Sequence, residues 1–368
     1  MTVAAPTAPA QARTGVAGTS RQSVLFAVAT CAALALALRA PLLLTVFGLV
    51  TFGVLHNALE LRYVAGRFAG VLRGPLLYTL VALISGIVLC RLMAARVPEI
   101  LLGYAILGVG VWWAPRVLWQ RLTGLAVLAG ALAVSLRWPA YHFVVLAHLH
   151  NVVPLFFLWE WAARMPVRAR RLFRATQVAW VLAVPAVVFT GLLDRWIAAG
   201  GGAVAAFAGP RAAIAAPFTP PDAALAVGLR FLVVFAFLQT MHYVVWVAFL
   251  PRYAPDAARA FDARVRWLRG RRLWIAAAAV GALLALLFVS DYAQGRLMYS
   301  SFASYHAYLE FPVVLALLLG NPATRAVPAD RTPAGRPSNG QESSQRRHVL
   351  DIPAVPASLH DQIGDNQG

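Results

Sequence analysis

The chain has 368 residues, of which 60% are hydrophobic and only 12% charged, about half the charge of an ordinary soluble domain. Apolar runs of membrane-spanning length recur from residue 23 to residue 320, which predicts an all-α, polytopic integral membrane bundle. Lipid excludes open sheets, whose edges would be unpaired, and a membrane barrel would show short alternating segments instead. The formal charge of +18 comes from 32 arginines and no lysine; most flank apolar runs, so they read as loops beside anionic lipid and not as a nucleic-acid surface.

In chain order, residues 1–20 are small and polar and read as a disordered tail. A transmembrane domain follows over 21–320, with ten candidate spans at 23–39, 42–61, 75–95, 98–114, 120–136, 139–161, 173–193, 225–249, 273–291 and 301–320. Placing the amino end in the cytoplasm puts the arginine-rich loops after spans two, four, six and eight on the same side. The long loop from Asp194 to Asp222, with only Arg195 and Arg211, then lies outside. This asymmetry predicts both termini in the cytoplasm of a multi-pass protein of the plasma (inner) membrane. The outer loop, with Gly200, Gly201 and Gly202 and three prolines, reads as a cap or a linker. Residues 321–368 are rich in Pro, Arg, Ser and Gln and read as a disordered tail; His348 and His360 fall there and receive no role. Cys31 and Cys90 lie in apolar runs, an unpromising setting for a structural disulfide.

Six of the eight histidines fall inside spans: His56, His142, His148, His150, His242 and His306. Ionisable groups are costly in lipid, so they face a protein interior or a wet cavity and mark function. His56 and Glu60 are four residues apart, as are His306 and Glu310, so each pair shares a helix face. A carboxylate one turn from an imidazole either joins it on a metal or accepts its second ring proton, which makes Glu60 and Glu310 candidate catalytic residues. Glu60 and Glu160 also lie near cytoplasmic helix ends, within reach of Arg62 and Arg164. His148 points about 200° away from His150, and Pro154 offers a kink beside the latter. Gln239, one turn before His242, is placed to hold that imidazole. Depth separates the six: His56 and His242 lie toward the cytoplasmic half, His150 near the middle, His142 and His306 toward the outer half. The expected core set is His56, His150 and His242, joined by His306 if the last span begins earlier. Leu-His-Asn occurs twice, at 55–57 and 149–151.

Imidazole with some carboxylate favours iron, copper, zinc or manganese over calcium or magnesium. Iron is the first expectation, with copper, zinc or a noncovalent haem as alternatives; there is no CxxCH for covalent haem, no HExxH and no Walker loop. A histidine-held iron in lipid suits oxygen chemistry on a hydrophobic small molecule, with membrane lipid around it and an electron-donor protein as a further partner. Phe156, Phe157, Trp159 and Trp161 are candidates to line a substrate tunnel. The rival reading is a transporter or proton path lined by histidines that do not converge.

Separate histidines on several membrane helices, in FGVLHNALE (52–60), LAHLHN (146–151) and MHYVVWVAFLPR (241–252), make the chain resemble the Brp/Blh family of membrane β-carotene 15,15'-dioxygenases. The resemblance covers about residues 40–320. It implies histidine-held iron, with His56, then His148 or His150, then His242 as ligands, and cleavage of a carotenoid by oxygen. Asn57 stands where that family has glycine, Glu60 where it has aspartate, and the late segment holds a single histidine. What carries over is a class, the metal-dependent membrane oxygenase. The substrate is left open among carotenoid, terpenoid, quinone, sterol and fatty acyl compounds.

Overall fold

The computed structural model describes residues 14–114, 117–198 and 201–319, with side chains from Arg21 onward. Among these residues all regular structure is helical. The first helices are α1 (Thr14–Arg39), α2 (Pro41–Arg67), α3 (Gly74–Leu92), α4 (Arg96–Trp113), α5 (Leu118–Arg137), α6 (Pro139–Val152), α7 (Pro154–Ala162) and α8 (Val167–Val178). A π-helical turn, Ala179–Ala183, joins α8 to α9 (Val184–Phe189). Two short helices, α10 (Gly202–Ala208) and α11 (Arg211–Ala215), lie in the long loop. Then come α12 (Leu225–Tyr243), a second π turn (Val244–Phe249), α13 (Leu250–Tyr253), α14 (Pro255–Arg264), α15 (Arg271–Ser290) and α16 (Tyr292–Leu318).

Proline supplies much of this punctuation. It occupies the first turn of α2, α3, α6, α7 and α14, where its missing N–H costs nothing. Pro154 separates α6 from α7 at Val153, whereas α2 passes through Gly53 unbroken.

Nine helices among the described residues are long and apolar enough to cross a membrane. The ten-span reading differs at α4, an 18-residue helix outside that set, whose first turn carries Arg96, Pro98 and Glu99. The last span starts at Tyr292 instead of 301, because Asp291 caps it: its carboxylate accepts the amides of Ala293 at 2.9 Å and Gln294 at 3.1 Å. Likewise α1 reaches back to Thr14, into the segment read as a tail.

The centre of the bundle is α12, whose span is 72% buried, followed by α16 at 61%, which packs on α3, α4 and α15; α5 at 6% lies on the periphery. α2 packs on α12, α14, α15 and α16, and α12 also meets α1, α6 and α9. At one end of the bundle, ion pairs tie the helices: Arg62 to Asp262 at 2.7 Å, Arg164 to Asp256 at 3.0 Å, and Arg67 to Glu160. Gly66 is a close-approach position, since a Cβ there would stand 2.1 Å from the carbonyl oxygen of Ala257 on α14.

Candidate metal centre

Four helices each deliver one histidine to a common point. His56 lies 15 residues after the start of α2, His150 11 after that of α6, His242 17 after that of α12 and His306 14 after that of α16. At 1.5 Å per residue each stands about 17–26 Å below its helix start. The four helices run inward from the same end, because residues near their starts (Thr45, Ala140, Leu225, Tyr292) and all four histidines line one cavity. The early start of α16 therefore lowers His306 to the depth of the other three and removes the separation read from the sequence.

One ring nitrogen from each of His56, His150, His242 and His306 lies within 4.8 Å of the others. The Nε2 atoms of His150 and His306 are 3.2 Å apart. Two nitrogens each about 2.1 Å from one tetrahedral or octahedral ion would stand roughly 3–3.4 Å apart. His56 Nδ1 donates to the carbonyl of Phe52 at 2.9 Å; a carbonyl only accepts, so Nδ1 carries the proton and Nε2 keeps its lone pair for a ligand. Ring contacts lock the cluster: centroids are 5.2 Å apart for His56–His242, 5.0 Å for His56–His306 and 4.7 Å for His150–His242.

Glu310, fully buried, brings Oε2 to 3.1 Å from His150 Nδ1, though off the angle of a hydrogen bond. Glu60, 1% exposed, brings Oε2 to 3.6 Å from His242 Nε2. The two carboxyl groups lie near each other without a hydrogen bond between them. Glu60 thus turns into the bundle, and Arg62, a candidate partner, pairs with Asp262 instead.

The fit to a cation can be tested on the polar atoms around this point. Both oxygens of Glu60 and of Glu310, both nitrogens of His242, and Nδ1 of His150 and of His306 are buried without a hydrogen-bond partner. Buried polar groups are almost always satisfied, and an unpaired one costs free energy. Unpartnered imidazole nitrogens at the point of convergence, with unpartnered carboxyl groups behind two of the rings, fit a bound cation and its outer partners.

The structure places the other two histidines elsewhere. His142 Nδ1 is 3.0 Å from Ser135 Oγ. His148 Nδ1 donates to Val144 O at 2.8 Å, and its ring lies against Phe231 and Phe235. Gln239 bonds not to His242 but to Tyr243, whose hydroxyl takes its Nε2–H at 3.0 Å. Tyr243 in turn lies 4.7 Å from the His56 ring, a neighbour that sequence reasoning passed over. Both Leu-His-Asn segments contribute their histidine to the cluster.

The cavity above the histidines has a volume of about 1130 Å³. Its walls include Leu49, Phe143, Val144, Leu232 and Phe235, and residues 211–223 of the long loop roof it, so that loop is a cap. Phe218 stacks on Phe235 at 3.6 Å to hold it down. Beyond the histidines, Tyr63, Phe157 and Trp246 form a buried aromatic plug with centroids 5.4–6.2 Å apart. Of the aromatics expected to line a tunnel, Phe157 and Trp161 are instead packed in the core, Phe156 lies against it, and Trp159 holds the Arg174 guanidinium over its ring. No protein-family model matches the chain, and neither a curated protein nor a solved structure matches it.

Proposed function

We propose that the protein is a membrane metalloenzyme, an oxygenase or related oxidoreductase that acts on a hydrophobic molecule drawn from the bilayer. The observation that carries the reading is the convergence of four imidazoles, from four helices, at the inner end of an apolar cavity. His56, His150, His242 and His306 would hold the ion. Neutral nitrogen donors with two nearby carboxylates fit iron first, then copper or zinc. A bound iron supplies the redox and dioxygen chemistry that no side chain in this site offers.

The chain's own residues do the rest. Phe52 fixes the His56 tautomer through its carbonyl. Glu310 Oε2 lies 3.1 Å from His150 Nδ1, close enough to take its proton after a small rotation, and Glu60 stands beside His242. Such outer partners orient ligands and raise their basicity. The apolar walls accept a hydrocarbon and exclude bulk water, while the aromatic plug closes the far side.

Two features favour this over the rival readings. A conducting path would string its histidines along a polar route, whereas these meet at a point above a buried aromatic plug. Rings in mutual contact leave no gap between them for a porphyrin, which favours a bare ion over haem. The resemblance to the membrane carotene dioxygenases agrees with the class.

The test is metal analysis of detergent-purified protein, with an optical spectrum, on wild type and on the His56→Ala and His242→Ala variants. Near-stoichiometric iron or copper in wild type, lost in both folded variants, is the expected outcome. Wild type free of metal after purification without chelator would sink the reading, and a Soret band would redirect it to haem.

A further inference from the structure

The cavity's walls are largely apolar, and they carry a set of cationic side chains. Arg91, Arg96, Arg211 and Arg296 line it, against only Glu99 and Asp222. Glu99 is already committed, accepting from Arg91 Nε at 2.7 Å, and Arg91 also donates to the Ser300 carbonyl at 2.6 Å. Arg91 lies deep, close enough to act on His150 and His306, whereas Arg296 stands near the start of α16. It is half-buried on the first turns of α16, and among the described residues its guanidinium makes no hydrogen bond or ion pair. A guanidinium carries five donors in a fixed fork suited to carboxylate or phosphate. Withdrawn from bulk water beside apolar walls, it calls for an anion.

The same helix supplies a ruler. Arg296 precedes His306 by ten residues, which is about 15 Å along α16. It lies only four residues from the start of the span, at the level where lipid head groups meet the hydrocarbon. The volume of about 1130 Å³ between the two exceeds what a compact drug-sized ligand fills.

We propose that the cavity binds a long-chain amphiphile with an anionic head group, the head held by Arg296 at the mouth and the tail running down to the histidines. This names the substrate class of the centre proposed above and rests on that reading. The reacting carbons then lie in the chain, about 15 Å from the head group, so a short-chain acid fills the head subsite without reaching the centre. Carboxylate and phosphate heads share the required chemistry.

The test is equilibrium binding by titration calorimetry to wild type, Arg296→Gln and Arg296→Lys in a neutral detergent. The ligands are oleate, oleyl phosphate, oleyl alcohol and octanoate, with metal content measured on each preparation. The expected result is that one oleyl anion binds wild type about tenfold more tightly than the alcohol, the scale of one charge-assisted contact. Arg296→Gln should remove that preference, Arg296→Lys should retain most of it, and metal content should not change. The tighter of the two anions identifies the head group. Equal binding of anion and alcohol to wild type overturns the proposal, as does a preference that survives in folded Arg296→Gln, or octanoate matching oleate. If Arg296→Gln fails to fold, the wild-type comparison decides alone. Normal metal with no anion preference removes this inference only, whereas an anion preference without metal removes the metal centre instead.

Discussion

The Nε2 atoms of His150 and His306 stand 3.2 Å apart although 156 residues separate them in the chain. Two neutral imidazoles so placed either share one proton or direct two lone pairs at one cation. The Glu310 carboxyl 3.1 Å from His150 Nδ1 is placed to support the second arrangement once a cation orients the ring. The four clustered histidines should therefore behave as a set. Alanine at His56, His150, His242 or His306 is expected to weaken metal binding by more than the roughly 10–100-fold of an outer-shell change. Alanine at His142 or His148, equally embedded in lipid-spanning sequence, is expected to leave metal content at the wild-type value. Elemental analysis of the six variants checks both halves.

Glu310→Gln keeps the shape of the side chain but replaces the carboxyl next to His150 with an amide. The expected effect is a metal affinity about 10–100-fold lower with the fold intact. Competition against a graded series of chelators measures it. Unchanged affinity would mean that the carboxylate does not orient the ring.

Gly66→Ala should loosen the bundle far from the histidines. The new Cβ would stand 2.1 Å from a backbone carbonyl of α14, and backbone cannot yield as a flexible side chain would. A loss of about 1–3 kcal/mol is expected, seen as a lower midpoint for thermal unfolding in detergent. Metal content at low temperature should not change.

Asp256, in the segment between α13 and α15, is paired with Arg164 at 3.0 Å. Burial by itself would raise its pKa, but the Arg164 hydrogen bond and charge outweigh that and hold it below the ordinary carboxylate value. Its contribution is thus fully present above the unfolded-state pKa and fades as pH falls through the lower folded-state value. Both side chains are about one-third exposed, so the pair is worth below about 1 kcal/mol. Asp256→Asn should melt slightly below wild type at neutral pH, and the two curves should merge in strong acid. A difference that persisted there would assign the effect to packing.

The helical membrane class was legible because lipid demands long apolar runs, and nothing else in the sequence resembles them. The site was legible in part. Four-residue spacing turned Glu60 and Glu310 inward with His56 and His306, but each carboxyl stands beside an imidazole of another helix, His242 and His150; the 200° turn separated His148 from His150. His306 was misjudged in depth because Tyr292–Ser300 contains Gln294 and Arg296 and dilutes the apolar run; the Asp291 cap is the signal that marks the true start. Burial could not be read at all. In a bilayer the lipid-facing and core-facing sides of a helix are both apolar, so α12 at the centre and α15 near the edge look alike in composition. The cationic side chains of the cavity were hidden for a different reason, since Arg91, Arg96, Arg211 and Arg296 come to one cavity only after packing.

The shared direction of the four ligand-bearing helices makes the centre sensitive to insertion and deletion in a localised way. One residue added between Pro41 and His56, Pro139 and His150, Leu225 and His242, or Tyr292 and His306 would swing that imidazole about 100° around its helix and move it about 1.5 Å. One residue added between α14 and α15, or between Ile197 and α10, would leave all four in place. Length variation in descendants of this chain should therefore gather in those connections and avoid the four inbound stretches. The intervals of 15, 11, 17 and 14 residues from helix start to histidine form a count by which distant kin could be detected even where little else in the sequence survives.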